Sequence, residues 1–134
     1  MPIAAALSVL LFAQAVPACA ATDAALPPAL SGWTAPVEAF GPGQAAVLEV
    51  KDGTVEIGFR IETAGRYGIA LDQGGWIDVT PLGAAAPLKS AGHGHGPECS
   101  TIRKIVQFDL QPGVYRVSLT RLTKPQVKLM LVAP

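Results

Sequence analysis

Charge is what this sequence has least of. Only 15% of its residues are charged, and ten basic residues cancel ten acidic ones. No cluster of Lys or Arg forms the concentrated positive footprint that phosphate binding requires, which excludes nucleic acid as a partner. Long helical periods are missing too. Fourteen Gly and 12 Pro interrupt the chain, which suits many short elements joined by turns. Only two cysteines and two histidines occur, too few for a zinc module built on paired C-x-x-C. Beyond the N-terminal leader nothing approaches the roughly 20 apolar residues of a membrane span, so no transmembrane segment is expected in the mature protein.

The N-terminus reads as an export signal over residues 1–20. "IAAALSVLLFA" has the length of an apolar h-region, although no Lys or Arg precedes it. Two A-x-A cleavage patterns follow, ending at Ala15 and at Ala20. They predict different chemistry. A cut after Ala15 keeps Cys19 and lets it pair with Cys99, whereas a cut after Ala20 leaves Cys99 alone. A third reading takes "VPAC" as a lipobox, with Cys19 lipidated. All three place the protein in the periplasm or outside the cell, where disulfides persist.

Residues 21–44 form an irregular arm, broken by Pro27-Pro28, Gly32, Pro36 and Gly41-Pro42-Gly43. "PPALSGW" is long enough for one helical turn, and Leu26, Leu30, Trp33 and Phe40 are candidate anchors onto a core. From residue 45 to 134 the period is two. Val55, Ile57, Phe59 and Ile61 alternate with Glu56, Gly58, Arg60 and Glu62. Tyr67, Ile69 and Leu71, then Val106, Phe108 and Leu110, then Tyr115, Val117 and Leu119, then Val127, Leu129 and Leu131 repeat the pattern. Ile102 and Lys104 fall in the same row as Val106. Asp52-Gly53 is a hairpin signal, because Gly tolerates the positive φ of a type I′ turn. About seven or eight strands result: an all-β antiparallel sandwich of jelly-roll or Greek-key type. The region 81–97 shows no clear strand.

Two stretches echo each other. "FRIETAGRYGIAL" and "FDLQPGVYRVSL" both run Phe, aliphatic, Gly turn, Tyr and alternating aliphatics. A Tyr just after a turn into a strand matches the tyrosine corner of Greek-key sandwiches.

This strand–Gly-x-Tyr–strand pattern resembles the jelly-roll sandwiches of pre-peptidase C-terminal domains. "GGWIDV", "HGHGPEC", "IRK" and "FDLQPGVYRVSL" together resemble small exported alphaproteobacterial proteins, some of which are described as homogentisate 1,2-dioxygenases. That enzyme is a cupin several times longer, with a non-haem iron held by two His and a carboxylate among further His. Two histidines two residues apart, in a chain this short, cannot reproduce that arrangement. The resemblance therefore implies export and a β fold, and it carries a dioxygenase activity only as a description.

Both histidines lie in "AGHGHGPECSTIRK". In an extended segment His93 and His95 point to one side. With Cys99 and the distant Asp78 they make a candidate site for Cu or Zn. The competing reading is a Cys19–Cys99 disulfide, which leaves the histidines as surface residues. Trp76 and Lys104 are candidates for a ligand surface, Trp76 as a sugar-stacking platform and Lys104 as a cation on the inward row. No nucleophile stands beside a fixed base, so no catalytic residue is assigned. Sequence thus favours a small exported binding protein, taking a metal ion or a periplasmic partner. Its alternatives are a structural or carbohydrate- or protein-interacting sandwich with the disulfide, and an enzyme.

Overall fold

The computed structural model describes residues 19–134; the apolar leader and the Ala15 cleavage pattern lie outside the described residues. Eight strands run as Ala45–Glu49 (β1), Val55–Ile61 (β2), Gly65–Leu71 (β3), Trp76–Pro81 (β4), Gly92–Gly94 (β5), Lys104–Leu110 (β6), Gly113–Thr120 (β7) and Gln126–Val132 (β8). Every strand pairing is antiparallel, in a five-stranded sheet of order β1-β8-β3-β6-β5 and a three-stranded sheet of order β2-β7-β4. The all-β sandwich reading is therefore correct. No helix among the described residues is long and apolar enough to cross a membrane.

The pairings follow one rule. β1 pairs with β8, β2 with β7 and β3 with β6, as when a long antiparallel ribbon is rolled into two sheets. This is jelly-roll order. A complete ribbon would end with β4 against β5. Here β5 pairs instead with β6, through Gly92↔Gln107, His93↔Val106 and Gly94↔Ile105. The outer edges of β4 and β5 are thereby left facing each other across the open side of the sandwich.

Period-two burial sets the faces. Phe59, Ile61, Ile69, Leu71, Val79, Val106, Phe108, Val117, Leu119, Leu129 and Leu131 fill the space between the sheets. Asp52 and Gly53 both take positive φ, 52° and 72°, and Lys51 and Thr54 exchange backbone hydrogen bonds across them. The Asp-Gly turn is thus present, but β1 and β2 join different sheets, so the turn makes a corner and not a flat hairpin. The two similar stretches make two further corners, β2 to β3 and β6 to β7. Tyr67 Oη donates to Thr63 O at 2.6 Å, and Tyr115 Oη donates to Gln111 O at 2.7 Å. Each hydroxyl ties down a connection that crosses between sheets, as in a tyrosine corner.

The arm departs from a simple tether. Pro28–Thr34 forms a 3₁₀ helix that starts on a proline, whose missing N–H costs nothing at a first turn. Leu30 and the fully buried Trp33 pack with Ala45, Ala70, Ile102 and Met130 in a second core. Ala45, Ala70 and Met130 lie on the sheet face opposite the main core, so the arm is a third layer. Ile102 thus belongs to this outer core and not to the inward row of Val106. The reason is local: β6 begins only at Lys104, and the chain turns before it. Phe40 closes the far end, edge-on to Phe59 with centroids 5.8 Å apart.

Trp33 concentrates the arm's attachments. Its indole N–H donates to Thr101 Oγ1 at 2.9 Å, and Lys128 Nζ sits 4.7 Å from its ring centroid. Replacing Trp33 by Ala is expected to cost about 3–5 kcal/mol, in the range of buried aromatic truncations. Chemical denaturation of the oxidised protein measures this. Leu82→Ala, at a side chain 79% exposed, serves as the neutral control, expected within about 0.5 kcal/mol.

Candidate functional site: the cleft between β4 and β5

The facing edges of β4 and β5 enclose a cleft of about 550 Å³. Its floor is apolar and belongs to the main core: Ile77, Val106 and Phe108. Its rim carries Trp76 and Asp78 from β4, His93 from β5, Lys104 from the start of β6, and Leu88, Lys89 and Ser90 from the connection between β4 and β5. The second half of that connection is held by two backbone bonds, Leu88 N–H to Val79 O at 2.8 Å and Ala91 N–H to Gln107 O at 2.7 Å. They occupy part of the β4 edge and fix where β5 begins.

Each rim group has a defined setting. Trp76 is 56% exposed, and its indole N–H donates to Asp78 Oδ1 at 3.1 Å. The two residues are two apart on one strand and so share a face. Lys104 Nζ donates to Gly75 O at 2.7 Å, which leaves two of its three N–H groups for other partners. It makes no ion pair with Asp78 or Glu98; among the described residues the only salt bridge is Arg66–Asp109, on the outer strand face.

One residue that sequence reasoning passed over builds this region. Gln73, in the turn between β3 and β4, is 4% exposed. Its Nε2 donates to Gln126 O at 2.8 Å, and its Oε1 accepts from Thr123 N at 3.3 Å and Lys124 N at 3.4 Å. The side chain clamps the β3–β4 turn to the β7–β8 loop and thereby places Gly75 beside Lys104. A lone Gln beside two glycines gives no sequence signal of this, because its partners lie about fifty residues away.

The predicted metal set is not gathered at one point. His93 stands on β5, whereas the strand ends at Gly94 and His95 lies beyond it. Both do line one smaller hollow of about 250 Å³, together with Gly74, Gly94, Arg103 and Lys104. Asp78 lies across the main cleft, bonded to the indole. Cys99 is joined to Cys19 in a disulfide, Cα atoms 5.4 Å apart, so its sulfur is not a thiolate ligand. Among the described residues no three His, Cys, Asp or Glu side chains lie close enough together to hold a metal ion. The disulfide reading of Cys99 is the one the structure bears out.

The disulfide is one of several ties at that corner. Asp23 N–H donates to Cys99 O at 2.8 Å, and the Asp23 carboxylate accepts from Thr101 N at 2.7 Å and Thr101 Oγ1 at 2.6 Å. Cys99 holds a φ of 59°, a left-handed conformation that persists only where surrounding bonds impose it. Of the Gly-rich run, Gly96 is needed for close approach: a Cβ there would run into Ile102 O.

In the cleft no nucleophile–base–orienter relay is assembled among the described residues. Asp78, Ser90 and His93 share the cleft, but the Asp78 carboxylate serves the indole N–H and holds no imidazole. A nucleophile–base–orienter chain needs those hydrogen bonds. No family model matches this chain, and no curated protein or solved structure matches it either.

Thiol titration checks the disulfide. Denatured without reductant the protein is expected to show no thiol, and with reductant two. Reduction is expected to lower stability by about 4 kcal/mol by chain entropy, because the bridged residues are 80 apart.

Proposed function

We propose that this protein is an exported binding module that takes a ligand in the cleft between β4 and β5. The observation that carries this reading is that Trp76, Asp78, His93 and Lys104 all border one cleft with an apolar floor, on the side where the jelly-roll ribbon is left unpaired. Clefts of a few hundred Å³, with apolar walls and a few convergent polar groups, are the usual form of small-ligand sites.

Export draws support from the disulfide, since such bonds form and persist in oxidising compartments. With the apolar leader, this favours the periplasm of a Gram-negative bacterium. It also favours one processing route. A cut after Ala20 would discard Cys19, and a lipid on Cys19 would occupy the sulfur that Cys99 uses. A cut after Ala15 keeps the bond. Intact mass of the exported protein is expected to begin at Val16 and to rise by about two mass units on reduction, the two hydrogens of a cleaved S–S bond.

A Cu or Zn site on this chain would retain His93 and His95 as its ligands. The hollow they share also contains Arg103 and Lys104. Two neighbouring cations oppose a third, and two imidazoles fall short of the four ligands of a closed zinc site. The cleft reading therefore stands first.

A screen of small soluble fragments by ¹⁵N chemical-shift perturbation tests it. Hits are expected to move the Trp76 indole N–H and the backbone amides of Gly75, His93 and Lys104. Trp76→Ala is expected to weaken them by about tenfold, the loss of one well-packed aromatic contact. Hits that cluster elsewhere, or that ignore Trp76→Ala, would remove the cleft from consideration.

A further inference from the structure

Resting on the cleft as the binding site, we propose that its ligand is a small amphipathic carboxylate: a compact aryl or alkyl body carrying one carboxylate group. The argument is one of complementarity. The deep part of the cleft is lined by Ile77, Val106 and Phe108, which belong to the main core and offer no hydrogen bond. A ligand that reaches them must be apolar at that end, because an unpaired polar group there would be desolvated without compensation.

The rim has the opposite character. It holds two lysines, Lys89 and Lys104, against a single carboxylate, Asp78. Asp78 keeps acceptor capacity beyond the Trp76 N–H, but Lys104 has two N–H groups left after Gly75 O and Lys89 adds a second cation. Two cations against one carboxylate leave the rim with a net positive charge. Ser90 Oγ and the His93 imidazole stand on the same rim as further donors. Lys104 springs from the first residue of β6, two residues before Val106 and on the same face, so its charge and the apolar floor adjoin. One molecule with an apolar body and an anionic head matches both.

A neutral oligosaccharide matches less well. Sugar recognition needs several acceptors and donors around an exposed ring, and this rim offers a single carboxylate, one oxygen of which already serves the ring's own N–H. A phosphate is most often held by a guanidinium fork or a cradle of backbone N–H groups, and no Arg lines this cleft.

Calorimetric titration of the oxidised full chain with octanoate and 4-phenylbutyrate, against their neutral amides, tests the proposal. Phenyl phosphate and xylohexaose complete the panel. Both carboxylates are expected to bind at least about tenfold more tightly than their amides, with shifts at the Trp76 indole N–H, and added salt is expected to narrow that difference. Lys104→Met is expected to remove most of the acid-over-amide preference by weakening carboxylate binding. The acid–amide comparison needs no variant, so it decides the matter even if Lys104→Met disturbs the fold. Equal binding of acid and amide at the cleft would overturn the carboxylate assignment alone, as would preference for phenyl phosphate or xylohexaose there. Absence of any shift at Trp76 with every probe would overturn the cleft as well.

Discussion

The five-stranded sheet carries an apolar patch on its outer face as well as an apolar inner face, and the rest of the structure answers to that. Ile69 and Leu71 of β3, with Leu129 and Leu131 of β8, face the three-stranded sheet, while Ala70 and Met130 between them face outward and are equally buried. A two-layer sandwich would leave that outer face in water. Covering it with the Pro28–Thr34 turn and Trp33 removes the exposed patch, and the apolar gain is what orders an arm too rich in Pro and Gly to order itself. The disulfide, the Asp23–Thr101 bonds and the Trp33–Thr101 bond all act at one corner of this layer.

That corner lies beside the cleft in sequence. Cys99 and Thr101 are held by the arm, and Lys104 follows three residues after Thr101 as the first residue of β6. Arg103 N–H bonds to Leu71 O at 2.7 Å and completes the approach to the sheet. The anchoring of the arm and the position of the rim lysine thus share one short segment of backbone. Gln73 does the same from the other side, by holding the turn that carries Gly75.

The fold also explains why the cleft lies where it does. Two tyrosine hydroxyls tie down the β2–β3 and β6–β7 corners, the two connections that join the paired ribbons β2–β7 and β3–β6. Only the fourth pairing is left unmade, and the connection between β4 and β5 runs over the gap as loop. Ligand sites concentrate on such loops and edges, held by a rigid scaffold. The free edge is short, because β5 has only three residues, and the connection covers part of β4; both limit strand-to-strand association.

Period two made the strands legible. Side chains such as those of Val117, Leu119, Leu129 and Leu131 alternate toward one core whatever the strand order, and Asp52-Gly53 and the two Gly-x-Tyr turns announce local geometry within a few residues. β5 was not legible, because Gly-His-Gly has no apolar period and is extended only by pairing with β6. The pairing of Cys19 with Cys99 stood in the sequence as one of several options, and folding brings their Cα atoms to 5.4 Å. Trp76, Asp78, His93 and Lys104 could each be singled out by residue type, yet not as one group. They come from β4, β5 and β6, and only the transfer of β5 to the other sheet sets them around a common apolar floor. The sequence by itself determined which residues face inward, since that depends on neighbours along the chain. The tertiary structure decided which edges meet, since that depends on pairings between residues far apart in the chain.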